Sequence, residues 1–416
     1  MTTAPVNGLR AYAAVTAAYW AFMLSDGALR MLVLLHFNGL GFSPLQLAWL
    51  FLLYELAGMI TNLAAGWIAA RFGLASTLYA GLGLQIVALA ALAQLDPGWS
   101  VAASVAFVMA VQGLSGVAKD LAKMSSKSAV KVLAPEGDGT LFRWVAVLTG
   151  SKNAVKGLGF FLGAVALGVA GFQAAIWTMA VVLAVILLAV VLFLPPGLPA
   201  GRKTSKIGAI WSRDAAVNRL SLARMFLFGA RDVWFVVGIP IYFQSVLSDG
   251  SPDSRRAAFF VIGSFMAAWI IAYGAVQAAA PRLLDARGRS VPQITDKAIA
   301  WAGWLVPIPF ALALAALWAG GPATWLTVTL IVGLLLFGFV FAVNSAVHSY
   351  LILALSGADR VTMDVGFYYM ANAAGRLMGT LLSGLSYQLG GLPLCLATAG
   401  VMAGLNWLAA RRMRAA

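Results

Sequence analysis

Basic side chains recur at helical spacing in two neighbouring apolar stretches of the chain. Lys119, Lys123 and Lys127 are spaced four residues apart, and Lys152 and Lys156 repeat that spacing. At 100° per residue, each set lies along one face of a helix. Lysine, as a point charge, and arginine, as a planar fork, are the side chains suited to phosphate and carboxylate groups. The spacing therefore indicates that these two helices bind an anion.

Further ionisable residues stand in other apolar stretches, where basic groups outnumber acidic ones. The predicted substrate ligands share a basic side chain within an apolar helix: Arg30, Lys119, Lys123, Lys152, Lys156, Arg231 and Arg376. The candidates for proton coupling or gating are other ionisable residues at comparable depth: Asp26, Glu55, Asp120, Asp232 and His348. An ionised side chain in hydrocarbon costs roughly 2.5–3.5 kcal/mol on insertion scales. We therefore expect these groups to face a water-accessible, net positive interior that favours a polyanion with phosphate-like groups.

The composition indicates which kind of protein holds these residues. Of the 416 residues, 62% are hydrophobic and only 10% are charged, whereas a soluble domain has about 25% charged residues. The chain is therefore expected to be an integral membrane protein. Its single cysteine, Cys395, excludes an internal disulfide and any multi-cysteine metal site; no metal or cofactor is predicted. The net charge of +14 is assigned to the membrane face and the bundle interior, not to nucleic-acid binding.

Twelve apolar stretches are each long enough to cross the hydrocarbon core, which takes roughly 20 helical residues. We number them α1 to α12 and predict them at 10–37, 44–70, 75–94, 101–133, 140–170, 172–194, 219–247, 256–280, 295–318, 324–355, 360–389 and 392–410. The polar stretch 195–218 splits them into two groups of six. We therefore predict an all-α polytopic membrane protein with an N-terminal bundle at 1–198, a basic cytoplasmic linker at 199–218 and a C-terminal bundle at 219–416.

The distribution of lysine and arginine among the connections predicts the orientation in the membrane. Connections after even-numbered helices, together with both tails, carry most of the basic loop residues, whereas those after odd-numbered helices carry only Arg255 and Arg256. By the positive-inside rule both termini are cytoplasmic. The same rule leaves a second interpretation of Lys119 and Lys123, as a solvated cytoplasmic end of α4 rather than part of a binding site.

Short matches indicate that the two groups of six helices are repeats. Phe22–Arg30 (FMLSDGALR) in α1 matches Phe226–Asp232 (FLFGARD) in α7. Asn-Ala followed by a basic residue occurs at 153–156 in α5 and at 372–376 in α11. The stretches 66–73 and 285–289 resemble, in degraded form, the Gly/Asp/Arg loop of major facilitator transporters. That resemblance implies the major facilitator superfamily fold, in which α1, α4, α7 and α10 line a central cavity.

Several of the ionisable residues have structural roles as alternatives. Asp26 and Arg30 are four residues apart on α1 and are able to neutralise each other. Glu55 is either a proton site or a structural acceptor. Arg231 and Asp232 point about 100° apart and are able to pair with neighbours.

Other spacings are typical of helix packing. Asn344 and His348 share a face of α10, where His348 is either a satisfied interior side chain or a proton relay. Two pairs of glycines, each four residues apart, indicate close helix packing: Gly159 with Gly163 in α5, and Gly375 with Gly379 in α11.

Motifs for enzymatic chemistry are absent or incomplete. Residues 197–204 (GLPAGRKT) have the wrong spacing for a phosphate-binding loop and follow no strand, which indicates secondary rather than ATP-driven transport. The stretch 113–116 (GLSG) matches the short motif of intramembrane serine proteases, with Ser115 as nucleophile. That motif needs a partner histidine, and the chain has only His36 and His348. We predict that the protein is not an enzyme.

Four stretches resemble the ArsJ permeases, organoarsenical exporters of the major facilitator superfamily: Tyr19–His36, Gly113–Lys131, Leu148–Gly163 and Arg224–Val236. The resemblance is specific in these stretches and vaguer from about residue 250 onward. It implies export of 1-arseno-3-phosphoglycerate, which a glyceraldehyde-3-phosphate dehydrogenase makes when it uses arsenate in place of phosphate. It thus implies a functional link to that dehydrogenase and a location in the bacterial cytoplasmic (inner) membrane.

The predicted function is therefore export of an organic arsenate/phosphate polyanion, conferring arsenate resistance. The expected partners are this small polyanion and the lipid bilayer, and the expected oligomeric state is a monomer. The alternative is a proton-coupled major facilitator carrier for another organic anion, a sugar phosphate or a drug.

Overall fold

The computed structural model describes residues 4–133, 140–194, 214–284, 290–356 and 361–415, and within these ranges the chain forms helices joined by short connections, with no strand. The first six helices are α1 (Ala4–Gly39), α2 (Pro44–Leu50 and Leu52–Phe72), α3 (Leu74–Leu92), α4 (Val101–Leu133), α5 (Thr140–Ala170) and α6 (Phe172–Phe193). The next four are α7 (Ala215–Val233, a π-helical turn at Trp234–Gly238, and Ile239–Leu247), α8 (Pro252–Leu283), α9 (Val291–Leu305 and Pro307–Ala319) and α10 (Thr324–Leu355).

The last helical stretch, Val361–Arg411, contains two membrane crossings. Its backbone leaves the helical conformation at Gly390 and Gly391, where Gly391 has a φ of +62° that favours glycine. A straight helix of 51 residues would be about 77 Å long, more than twice the roughly 30 Å thickness of the hydrocarbon core. The two crossings are α11 (361–389) and α12 (392–411). The prediction of twelve membrane-spanning helices is confirmed.

Residues 195–213, which include most of the linker predicted at 199–218, and the loop at 285–289 lie outside the described residues. The domain limits at 198, 199 and 218 therefore stay predictions.

Helices α6 and α7 show the two environments of the bundle. On α6, Val181, Leu188, Leu192 and Phe193 are between 58% and 77% exposed. A helix that is apolar on all sides and exposed is compatible with lipid rather than with water. On α7, in contrast, every residue from 227 to 240 is buried. The interior therefore surrounds α7, and α6 lies on the membrane face.

Glycines of α5 bring its backbone against α1. A methyl group added at Gly159 would overlap the carbonyl oxygen of Leu24, and one added at Gly163 would overlap that of Ala28. The backbones of α1 and α5 are therefore in direct contact, as the glycine spacing predicted.

The same contact recurs between α11 and α7. A methyl group at Gly375 would overlap the carbonyl oxygen of Met225, and one at Gly379 would lie 2.7 Å from that of Gly229. Both packing predictions are confirmed. The contact recurs in each half, and Lys156 of α5 and Arg376 of α11 each lie within one helical turn of its glycines.

We expect Gly375→Ala to lower the free energy of unfolding by about 1–3 kcal/mol, the usual cost of overpacking, because the added methyl group meets a backbone carbonyl. The matched control is Gly404→Ala in α12, since a methyl group there meets no atom within 4 Å. Its expected effect is within about 1 kcal/mol. Thermal unfolding in detergent, followed by tryptophan fluorescence, compares the two variants. Equal melting temperatures would contradict direct backbone contact between α7 and α11.

Candidate functional site

A cavity of about 190 Å³ lies between the first six helices and the last six. Its wall is formed by α1, α2, α4 and α5 on one side and by α7, α8, α10 and α11 on the other. The four helices expected to line a central cavity, α1, α4, α7 and α10, all contribute to it. The volume lies below the range of roughly 300–1,000 Å³ that is typical of sites for drug-sized ligands.

All seven predicted substrate ligands lie on the wall of this cavity: Arg30, Lys119, Lys123, Lys152, Lys156, Arg231 and Arg376. The structure thus brings together basic residues from α1, α4, α5, α7 and α11. Three predicted coupling residues line the same wall: Glu55, Asp120 and Asp232. Binding of substrate and coupling of protons by these residues stay predictions.

Glu55 of α2 connects the two halves of the protein. Its Oε1 accepts hydrogen bonds from Nη1 of Arg30 at 3.0 Å and from Nη2 of Arg376 at 2.5 Å. The Glu55 side chain is 1% exposed, so its carboxylate is shielded from bulk water. Glu55 accepts hydrogen bonds from both halves, and its role as a proton site stays a prediction.

Asp232 of α7 binds one further arginine, Arg231, and also binds Arg376. Its Oδ1 lies 2.5 Å from Nη2 of Arg231, and its Oδ2 lies 3.3 Å from Nε of Arg376. Arg231 and Asp232 thus pair with each other although they are adjacent in sequence. Arg376 contacts a carboxylate on each side, Glu55 in the first half and Asp232 in the second.

Asp26 pairs with α5 rather than within its own helix. Its Oδ2 lies 2.5 Å from Nζ of Lys156, and its Oδ1 accepts a hydrogen bond from the hydroxyl group of Tyr54. The predicted neutralisation of Asp26 by Arg30 is wrong. The reason is the close contact of α1 with α5, in which Gly27 lies against the carbonyl oxygen of Lys156 and brings that lysine to Asp26.

Lysines of α4 face the cavity and not cytoplasmic solvent. Lys119 is 8% exposed, and its Nζ lies 4.1 Å from the centre of the Tyr54 ring. Lys123 donates hydrogen bonds to Asp120 at 2.7 Å and to Asn62 at 2.6 Å. Their low exposure favours the cavity over the alternative of a solvated helix end, and a ligand role for both lysines stays a prediction.

His348 does not line the cavity. It is fully buried in α10, and neither ring nitrogen has a hydrogen-bond partner within the described residues. The described residues therefore do not supply the hydrogen bonds that a satisfied interior histidine would have. A gating role for His348 stays a prediction.

The geometry around Ser115 does not resemble a hydrolase site. Its hydroxyl group donates to Oε1 of Gln85 at 2.6 Å, and both side chains are fully buried between α3 and α4. His36 lies near the C-terminal end of α1, and its ring is stacked on that of Phe172 with 3.9 Å between the ring centres. Neither His36 nor His348 is paired with Ser115 in the described residues.

Sequence reasoning did not assign several residues of the wall to the site. The most prominent is Arg224 of α7, an eighth basic side chain. The others are neutral polar side chains: Asn62, Asn153, Tyr273, Gln277, Ser349, Tyr369 and Asn372. A usable signal existed, because Tyr273 with Gln277 and Asn372 with Arg376 have the same four-residue spacing as the lysines.

The cavity has a large positive excess. Eight basic side chains line it, against the three carboxylates on its wall and Asp26, which pairs with Lys156. With all of these groups ionised, the described residues of the wall together with Asp26 carry a net charge of +4. Such a site is costly when empty and becomes favourable when an anion enters.

Direct contacts close the ends of α1, α2, α7 and α11 that are predicted to be extracellular. Nδ2 of Asn38 donates to Oε1 of Gln244 at 2.6 Å, which joins α1 to α7. Gly384 of α11 lies against the backbone of Pro44 in α2. The π-helical turn of α7 lies between this closed end and the cavity, and Ser383 accepts hydrogen bonds from two of its backbone N–H groups. π-Helical turns of this kind often occur at functional sites.

We expect Glu55→Gln to lower the free energy of unfolding by about 1–3 kcal/mol. Removal of one partner from a fully buried ion pair costs roughly 3–5 kcal/mol. The expected loss is smaller here because the Arg376 side chain is 18% exposed and is hydrated in the cavity. The control is Asp296→Asn, which breaks the exposed pair with Arg414 and is expected to change stability by at most about 1 kcal/mol. Melting temperatures in detergent measure both. A Glu55 variant as stable as the control would contradict the bridging role.

Comparison with known proteins agrees with this architecture. A model of the Major Facilitator Superfamily matches residues 15–306 of the chain. No curated protein matches the chain by sequence.

Three solved structures are similar over nearly the whole chain. A POT family transporter in complex with 5-aminolevulinic acid has a TM-score of 0.75 and 15% identity, with 96% of this chain and 95% of that chain covered. The nucleoside transporter NupG has a TM-score of 0.67 and 16% identity, with 98% and 99% covered. A bacterial homologue of the iron transporter ferroportin in the inward-facing state has a TM-score of 0.68 and 12% identity, with 98% and 99% covered. At these identities the similarity shows the fold alone.

Proposed function

The chain belongs to the major facilitator superfamily, and we propose that it exports a small organic polyanion from the cytoplasm by alternating access. The observation that carries this proposal is the positive excess among the described residues that line the cavity between the two halves. Neutral or cationic solutes would leave that excess uncompensated, whereas a polyanion offsets it. The cavity volume of about 190 Å³ favours a metabolite of a few carbon atoms.

Within this class, we propose an organic ester that carries arsenate and phosphate groups, 1-arseno-3-phosphoglycerate. Two lines support it. Tetrahedral oxyanions at both ends of a short chain suit a cavity lined by lysines and arginines on both sides. The stretches of α1, α4, α5 and α7 that resemble the organoarsenical exporters are also the stretches that supply most of the basic wall.

The membrane potential favours the export direction for such an anion. An interior-negative potential contributes about 2.3 kcal/mol per charge per 100 mV. A trivalent anion that leaves the cell without a coupled ion therefore gains roughly 7 kcal/mol per 100 mV. Export needs no proton gradient on this account, with the carboxylates of the cavity acting as counter-charges for its arginines and lysines.

Alternating access requires that the two halves exchange contacts around the anion. Glu55 and Asp232 hold Arg376 from opposite sides, so this arginine couples the halves at the depth of the cavity. An anion in the cavity supplies negative charge that competes with Glu55, which weakens the connection of α2 to α11. Loss of that connection would permit rearrangement of the outer ends of α1, α2, α7 and α11.

A proton-coupled carrier for another organic anion is the second candidate. The four carboxylates Asp26, Glu55, Asp120 and Asp232 are all buried, and a buried acid in a transport cavity is a candidate proton site. This candidate predicts transport that stops when the proton gradient is abolished, whereas the exporter driven by the membrane potential continues.

The first test is arsenate resistance in an arsenic-sensitive bacterium, with and without a co-expressed glyceraldehyde-3-phosphate dehydrogenase. We expect resistance and lowered cellular arsenic only when both proteins are present, because the dehydrogenase makes the ester. Lys152→Ala should reduce export by roughly 10-fold or more, the effect of one lost charge-assisted contact. Growth in arsenate and arsenic content by mass spectrometry give the two readouts.

The matched control is Arg256→Ala, since Arg256 is exposed and lies outside the cavity. It should retain full resistance at equal membrane abundance. Protection without the dehydrogenase would contradict the ester as substrate. No protection by correctly inserted protein would contradict export of arsenate esters altogether.

A further inference from the structure

Two basic side chains of the cavity, Lys119 and Arg224, differ from five others because they form no ion pair with a carboxylate in the described residues. Five of the others form ion pairs with carboxylates: Arg30, Lys123, Lys156, Arg231 and Arg376. Lys119 of α4 and Arg224 of α7 have no carboxylate oxygen within 4 Å of their charged nitrogens in the part of the chain that the structure describes. One belongs to the first half and the other to the second, and both line the cavity.

Arg224 is held rigidly by neutral groups. Its Nε donates to Oδ1 of Asn372 at 2.9 Å, and its Nη1 donates to the carbonyl and hydroxyl oxygens of Ser345, each at 3.0 Å. The guanidinium carbon lies 4.1 Å from the centre of the Phe228 ring and 5.1 Å from that of Tyr368. Nη2 donates to no group of the described residues. The arginine is therefore oriented in advance with only its Nη2 unused in the described residues.

A chain of hydrogen bonds supports this orientation and reaches the other half. The hydroxyl group of Ser345 also accepts from Nε2 of Gln277 at 3.0 Å and lies 3.2 Å from the hydroxyl of Tyr273. Gln277 in turn accepts from Nδ2 of Asn153 in α5 at 3.3 Å. Because all these partners are neutral, they fix the position of Arg224 without neutralising its charge.

Lys119 has a comparable setting in the first half. Its ammonium group lies over the Tyr54 ring at 4.1 Å and makes no ion pair within the described residues. An aromatic face stabilises a cation but leaves its N–H donors unused. Lys119 is 8% exposed, so this charge too is largely removed from bulk water.

We infer that Lys119 and Arg224 are the primary ligands of the two anionic ends of the substrate. A ligand that binds one of the three paired arginines, Arg30, Arg231 or Arg376, has to displace a carboxylate. A ligand that binds Lys119 or Arg224 only adds a counter-charge to a cation that makes no ion pair in the described residues. The inference rests on the proposed transport of a polyanion. It changes the site predicted from sequence, since Arg224 becomes a ligand, whereas Arg30, Arg231 and Arg376 belong to the series of ion pairs that crosses between the halves at Glu55 and Arg376.

The arrangement selects a ligand with two separated anionic groups. The unused Nη2 of Arg224 donates to one oxyanion, and the ammonium group of Lys119 accommodates the second oxyanion as a point charge. A ligand with one anionic end satisfies only one of the two cations. The ligand class is therefore a short-chain acid phosphate or its arsenate analogue.

The test measures binding of 3-phosphoglycerate and of glycerol 3-phosphate to the purified full-length protein by isothermal titration calorimetry. We expect Lys119→Gln and Arg224→Gln each to weaken 3-phosphoglycerate binding by roughly 10- to 100-fold, the effect of one lost contact to a charged group. Glycerol 3-phosphate has one anionic group, so only one of the two variants should weaken its binding substantially. Arg256→Gln is the control and should bind both ligands as the unaltered protein does.

Arg224 is buried, so Arg224→Gln is accompanied by Arg224→Lys, which keeps the charge but loses the planar fork and should recover part of the affinity. A measurement without substitution is protection of Arg224 from phenylglyoxal by 3-phosphoglycerate, located by peptide mass spectrometry. Unchanged affinity in both glutamine variants, or no protection of Arg224, would overturn the assignment while leaving polyanion transport intact. Absence of 3-phosphoglycerate binding by the unaltered protein would instead contradict the proposed function.

Discussion

Desolvation of ionised side chains is the constraint on which the rest of the structure depends. Each charge at the centre of a bilayer costs several kcal/mol unless it is paired or faces water. The protein places eight basic side chains around one cavity and supplies four carboxylates to meet them. Glu55 and Asp232 are each shared between two arginines. The described residues of the site therefore keep a net positive charge, which an anionic ligand would offset.

This distribution depends on backbone packing. Glycines let α5 contact α1 and let α11 contact α7. Carbonyl oxygens of α1 and α7 occupy the space that a side chain at these glycines would need. The contact between α1 and α5 brings Lys156 to Asp26, and the contact between α7 and α11 brings Arg376 to Asp232. The positions of the charged groups therefore follow from small residues, and the two halves use the same solution.

The sequence predicted the helices and the presence of the basic residues in one site, because apolar length and four-residue spacing depend only on local chain geometry. It did not predict which carboxylate each cation would bind. Asp26 and Arg30 are neighbours on α1, yet they bind partners from other helices, and such choices depend on interhelical distances that no spacing encodes. The role of Arg224 was missed for the same reason: its neutral partners Asn372 and Ser345 come from α11 and α10.

The most direct test of the central claim is efflux of labelled 3-phosphoglycerate from proteoliposomes that contain the purified protein. A potassium gradient with valinomycin sets the membrane potential, and glycerol serves as the neutral control. A cavity built for polyanions predicts efflux of 3-phosphoglycerate that is faster when the interior is negative, without protein-dependent efflux of glycerol. Efflux of 3-phosphoglycerate no faster than from protein-free liposomes, or equal transport of the neutral solute, would contradict the account.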